Sequence, residues 1–161
     1  MKPAISTARM KCLVLACGNP LRSDDAVGLE LARYAREWIR DWEAVAVVIS
    51  ATQWTPELAA EIASAESVIF LDCCTDNAPG KVALRVVEPC ERVQPSTHHL
   101  HAAELLALSR DLYDALPLRA FLLTIGAASL AMHEGISDTV ADALPIAKEK
   151  LKEVLKICLA R

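Results

Sequence analysis

Three Trp, two Tyr and two Phe are all the aromatic residues in a 161-residue chain that is 53% hydrophobic. The core is therefore expected to be aliphatic and rich in alanine. Basic clusters are also missing: the formal net charge is −4 and the lysines and arginines are scattered, so the chain offers no electrostatic footprint for nucleic acid. No apolar run approaches the ~20 residues needed to span a bilayer. "LVLAC" ahead of Gly18 superficially resembles a lipoprotein cleavage site, but its apolar stretch is too short for the hydrophobic region of a signal. These absences lead us to expect a cytoplasmic protein without a membrane partner. Residues 1–10 read as a loose N-terminal extension in which Met10 is an alternative start. Residues 11–161 read as a single domain, long enough to bury most of its apolar surface. The cysteines (Cys12, Cys17, Cys73, Cys74, Cys90 and Cys158) never form a C-x-x-C pair, which excludes zinc-finger spacing. Without a secretory signal, a disulfide framework is not expected. Cys12 and Cys158 read as small buried hydrophobes, whereas Cys17, Cys73 and Cys74 stand at the ends of apolar runs.

Short apolar runs alternate with longer amphipathic stretches. The runs cover 12–17, 44–50, 67–73, 81–87 and 118–126. Four are continuous and rich in Val, Ile or Leu, as in strands buried on both faces. The fourth, "KVALRVV", interleaves Lys81 and Arg85 and predicts an edge strand, antiparallel to the rest. Helical spacing covers about 24–40, 56–65, 100–114 and 138–160, with Pro56 suited to a first turn. The expected fold is a single-domain three-layer α/β/α sandwich around a mostly parallel five-stranded sheet. Right-handed crossovers then gather the β→α loops at the carboxyl edge, where ligands bind in open α/β sheets.

Three polar groups fall on that edge. Asp24 and Asp25 follow the first strand, Asp72 ends the third, and "STHHLHAAELLAL" carries His98, His99 and His101 ahead of a helix. Each has an ordinary local explanation. Ser23 suits an N-cap and first-turn acids favour the helix dipole; Asp72 suits an Asx turn; the histidines suit an exposed first turn capped by Ser96 or Thr97. Their coincidence on one edge points instead to a divalent metal. Two carboxylates and an imidazole suit nickel, zinc or another late divalent ion, with positions left open for substrate or water. A histidine at a helix N-terminus favours its neutral, ligating form, and a cation relieves the repulsion between crowded carboxylates.

The segments "CGNPLRSDDAVGLELA", "VIFLDCCTDNAPGKV", "STHHLHAAELLAL" and "EGISDTVADALPIAKEKLKEVL" together resemble the hydrogenase maturation endopeptidases, from about Lys11 to Leu159. The resemblance implies an enzyme that trims the C-terminal extension from the large-subunit precursor of a [NiFe] hydrogenase. It implies that nickel arrives bound to the precursor as a recognition element, although other divalent metals would suit the same residues. The implied metal-engaging and catalytic residues are Asp25, Asp72 and His98; His99 and His101 receive no ligand role. Asp24 would be a cap or an acid orienting its neighbour, and Gly18 and Asn19 would shape the turn. A one-to-one complex with the precursor needs no homodimer, so a monomer is expected. Ala16-Cys17, Ala26 and Cys73-Cys74 depart from the family pattern, and the thiols would soften the site or compete for nickel.

Four rival readings remain. A non-catalytic relative would bind metal without cleavage. A phosphoreceiver domain also pairs acids after its first strand, but wants them directly at the strand end and a lysine after the last strand. A nucleotide-binding domain would need G-x-G-x-x-G, absent from "CGNPLRSDD". A cysteine hydrolase would use Cys17 or Cys73 with His98.

Overall fold

A computed structural model of the chain describes residues 9–93 and 100–160. The elements run β1 (Met10–Cys17), α1 (Val27–Asp41), β2 (Ala46–Ala51), α2 (Leu58–Ala63), β3 (Ala65–Cys74), β4 (Val82–Val86), α3 (Ala102–Tyr113), β5 (Arg119–Gly126) and α4 (Asp138–Leu159). Each of the five apolar runs becomes a strand. They form one sheet in the order β2-β1-β3-β5-β4, with β1, β2, β3 and β5 parallel and β4 antiparallel at one edge. The basic residues that marked β4 have the expected reason, since Arg85 is exposed on that outer strand. The same order separates the sheet from phosphoreceivers, whose strands follow 2-1-3-4-5.

The continuous apolar runs of β1, β3 and β5 lie where both faces are covered, but that of β2 does not: it is the other edge strand, and Val47 on it is exposed. In β1, Cys12, Val14 and Ala16 face one half of the core while Leu13 and Leu15 face the other. In β3, Ile69 and Leu71 alternate likewise with Val68 and Phe70. α1 and α4 close the first half through Val27, Leu31, Ala35, Val140, Ala147, Leu151 and Val154. α2 and α3 close the second through Ile62, Leu105 and Leu106, with Trp54 meeting Phe70 edge-on at 5.2 Å between ring centroids. Cys12 and Cys158 are buried in the first half as small hydrophobes, and all six cysteines are free thiols. Among the described residues no helix is long and apolar enough to cross a membrane.

Tyr34 and Trp38 share the helical spacing of the core residues of α1 but are only half-buried. Together with Trp42 they stack along the outer flank of α1, with centroids 6.1 and 6.3 Å apart. Lys148, Lys152 and Lys156 of α4 lie over the three rings in turn, at 3.7, 5.7 and 6.0 Å. Each such contact contributes about 0.5–1 kcal/mol at an exposed position. Lys over aromatic at i, i+4 and i+8 on both helices forms a ladder joining α1 to α4.

The predicted helix at 24–40 begins instead with a 3-10 turn over Ser23–Ala26, and Pro56 lies in the turn before α2. The first turn of α1 sits directly on the sheet at Gly28. A Cβ there would lie 2.6 Å from the Cys17 carbonyl oxygen and 2.8 Å from that of Leu71, both backbone atoms that cannot swing away. Gly28→Ala is expected to destabilise the fold by about 1–3 kcal/mol, the usual range for overpacking. Denaturant unfolding checks this; an unchanged midpoint would show that α1 is free to lift.

Candidate functional site

The first-strand loop is built on close backbone contacts. The Gly18 N–H donates to the Ala51 carbonyl at 3.0 Å, and a Cβ on Gly18 would collide with the Asp25 carbonyl. The next amide, Asn19 N–H, donates to Asp25 Oδ2 at 2.9 Å. Asn19 Oδ1 in turn accepts the Leu21 N–H at 2.9 Å, an Asx turn. Gly18 and Asn19 therefore hold Asp25 over the end of β1.

Ser23 is not the N-cap. It has φ 49°, in the left-handed region uncommon for residues other than glycine, and the cap position falls to Arg22 without a side-chain bond. The twist turns Asp24 inward, where the residue is 0% exposed. Its Oδ2 accepts Ala128 N–H at 2.8 Å, Ser129 N–H at 2.9 Å and Ser137 Oγ–H at 2.9 Å, while Oδ1 accepts Ser137 N–H at 2.6 Å. Ser137 is also the N-cap of α4, its Oγ accepting Val140 N–H at 3.3 Å. Asp24 thus neither caps its own helix nor bonds to Asp25. It clamps the loop after β5 and the start of α4 onto the first-strand loop. Burial works to raise its pKa, but the bonds from Ser137, Ser129 and Ala128 outweigh it and hold the carboxyl below the ordinary 3.8.

Asp72 lies on the sheet face that carries Val68 and Phe70. One oxygen accepts the Cys73 N–H at 2.8 Å. Burial raises its pKa most, the Cys73 N–H opposes the rise, and the Asp25 charge adds to it, bringing Asp72 to about 7. Among the described residues neither Asp25 nor Asp72 is in a salt bridge with a cationic side chain. Cys17 and Cys73 flank the pair. Burial, then Asp72 and Asp25, push Cys17 up to about 12; burial, then Asp25 and Asp72, do the same for Cys73. Such thiols stay protonated at neutral pH, whereas a cysteine nucleophile needs a depressed pKa.

His98 and His99 fall outside the described residues, as do Ser96 and Thr97. The N-cap of α3 is His101, in a reciprocal capping box with Glu104 whose Oε2 accepts the His101 N–H at 2.8 Å. The structure thus brings Asp25 and Asp72 within electrostatic reach of one another. Among the described residues, no group of three His, Cys, Asp or Glu is gathered closely enough to hold a metal. Ser137 went unassigned at the sequence level. Its only signal was the "GISD" start of α4, and nothing local ties it to an aspartate 113 positions earlier.

The five-stranded α/β/α sandwich superposes on solved structures of hydrogenase maturation endopeptidases. The chain superposes on the hydrogenase maturating endopeptidase HybD from E. coli with a TM-score of 0.74 and 23% identity, over 91% of this chain and 93% of that one. It superposes on the [NiFe] hydrogenase maturation protease HycI from Thermococcus kodakarensis KOD1 at 0.66 and 19%, covering 96% of each. For HybD from Thermococcus kodakarensis the values are 0.62 and 22%, over 90% of this chain and 99% of that one. No protein-family model matches the sequence, and no curated protein does. The fold is that of the hydrogenase maturation endopeptidases.

The Asp24 clamp has a pH signature. A carboxyl whose pKa is depressed by folding contributes stability above its unfolded value of 3.8, and that contribution is lost as pH falls through the lower folded value. Asp24→Asn keeps the shape but turns an N–H donor toward donors, and is expected to cost about 2–4 kcal/mol at pH 7. Denaturant midpoints between pH 2 and 7 should show the variant's deficit shrinking in acid; a constant deficit would contradict the clamp.

Proposed function

We propose that this protein is an endopeptidase that removes the C-terminal extension of a nickel-loaded [NiFe] hydrogenase large-subunit precursor. The observation that carries the reading is the Asp25–Asp72 pair, two carboxylates that among the described residues have no cationic side chain between them, held at the carboxyl edge of this fold. Their mutual repulsion is what a bound cation relieves. Each uses one oxygen on a backbone N–H, which orients the carboxylate and leaves the other oxygen free to coordinate. His98, three positions before the α3 cap, is proposed as the third donor.

The donor set suits nickel and other late divalent ions. In this reading the nickel belongs to the substrate. Bound nickel would supply Lewis acidity and a fixed point of attachment for the precursor. On the protein side, Asn19 N–H and Cys73 N–H hold the two carboxylates in place, and the Asp24 clamp holds the loop that carries Asp25. With a pKa near 7, Asp72 sits at the boundary between accepting and holding a proton at neutral pH, and a neighbouring positive charge would ionise it. Cys17 and Cys73 are spectators to cleavage. One protein chain engages one precursor in this scheme, so no homodimer is needed, and the reaction takes place in the cytoplasm.

Purified protein mixed with nickel-loaded or nickel-free precursor gives the test. C-terminal trimming is expected only with nickel. Asp25→Asn and His98→Ala are each expected to lower processing by at least about a hundredfold, the scale for lost metal-engaging groups, with circular dichroism unchanged. Normal processing by both variants would sink the site assignment. The double variant Cys17→Ser, Cys73→Ser should retain full processing; loss of activity there would revive the cysteine reading.

A further inference from the structure

The two edges of the sheet are finished differently. β4 is antiparallel and has Lys81 before it, an exposed Arg85 within it and Pro89 beyond it, the usual protections against pairing with another strand. β2 has none. From Ala44 to Gln53 the chain reads "AVAVVISATQ", with no charge and no proline. Val45 is 68% exposed and Val47 42%. The Ala51 carbonyl points to β1, where it accepts Gly18 N–H, so alternation along the strand turns the backbone groups of Val48 and Ser50 to the open side.

Both ends of this edge lead somewhere. At its carboxyl end, Ala51 is bonded to the glycine beneath Asp25, and the Thr52 carbonyl accepts the Cys17 thiol at 3.6 Å. The edge therefore runs out onto the rim of the candidate site. At its amino end lies a cleft of about 520 Å³ lined by Trp42, Ala44, Val45, Lys156 and Leu159. Lys156 lies over the Trp42 ring, and no carboxylate pairs with it among the described residues.

Resting on the endopeptidase reading, we propose that the C-terminal extension of the precursor binds as a sixth strand on β2. It starts from the scissile bond at the rim and runs antiparallel to β2 toward the Trp42–Lys156 cleft. Main-chain bonds to Val48 and Ser50 supply affinity without demanding a sequence, as in other strand additions. A strand rises 3.2–3.4 Å per residue, so about six residues of extension carry it from rim to cleft. There, Trp42 and Val45 receive apolar side chains and Lys156 a carboxylate.

The test compares Val47→Lys and, as a second variant at a more exposed position, Val45→Lys with the unmodified protein. The substrates are nickel-loaded precursor with its whole extension and the same precursor cut back to a short stub beyond the scissile bond. Both variants are expected to raise KM for the whole precursor about tenfold, with kcat and thermal midpoint unchanged and the stub processed as by the unmodified protein. Lys156→Glu should shift KM in the same direction. Unchanged KM for the whole precursor with both valine variants overturns the proposal, as does an equal loss on stub and whole substrate. A dimer seen by sedimentation that Val47→Lys dissolves without affecting processing would identify a second copy as the occupant, and also overturns it. If the unmodified protein trims neither precursor, the endopeptidase reading itself fails and takes this occupant with it.

Discussion

The buried carboxylate of Asp24 is the constraint around which the carboxyl edge is organised. An ionised group with no exposure is tolerable only when its oxygens are fully bonded, and here four donors from three residues converge on it. Those donors belong to the loop after β5 and to the cap of α4. Asp24 thus joins the two helices that cover one face of the sheet at the same end. The neighbouring residue inherits the result: the left-handed twist at Ser23 that sends Asp24 inward leaves Asp25 on the other side of the turn, held by Asn19. One strained residue separates a structural acid from a chemically available one.

The second acid is set in opposition to a partner. Asp25, in the turn after β1, and Asp72, on the adjacent β3, meet without a counter-charge among the described residues, and their charges raise the proton affinity of Asp72 and of both flanking thiols. A site built this way stores electrostatic repulsion in the unliganded protein, in the sense that ionising one member works against the other. A cation bound there, as proposed, would convert the same geometry from repulsive to attractive. The thiols follow the opposite logic: packed beside negative charge, they resist deprotonation and so remain inert toward the chemistry that their position would otherwise suggest.

The architecture was largely legible in the sequence because the internal strands β1, β3 and β5 are continuous apolar runs; the run of β2 reads the same way although it lies at an edge, so apolar continuity alone did not separate the two. Lys81 and Arg85 were enough to mark β4 as an edge. Strand ends and helix starts then brought the carboxylates to one rim by topology alone. Tertiary bonds stayed hidden. Ser23 has the composition of a cap, yet long-range pairing of its amide with His133 and of Asp24 with Ser137 overrode that local preference. His101 was similarly overlooked as a cap, because its pairing with Glu104 lacks the usual hydroxyl. Tyr34 and Trp38 shared the helical spacing of core residues, and their half-exposed position follows from lysines more than a hundred positions later. The role of His98 rests on the family resemblance, as it lies outside the described residues.

The lysine–aromatic ladder between α1 and α4 repeats every four residues on both helices, close to one helical turn. Such a repeat is degenerate: sliding α4 along α1 by one turn would bring each lysine over the next ring and lose only the terminal rung. The Asp24–Ser137 bonds are not degenerate, because a one-turn displacement moves Ser137 by 5.4 Å and abolishes them. The ladder thus behaves as a coarse scale that favours whole-turn steps, and the buried carboxylate as the single mark that selects one step among them. Helix register, usually attributed to the shape of the core, is here set by a polar contact at the rim that also underlies the site.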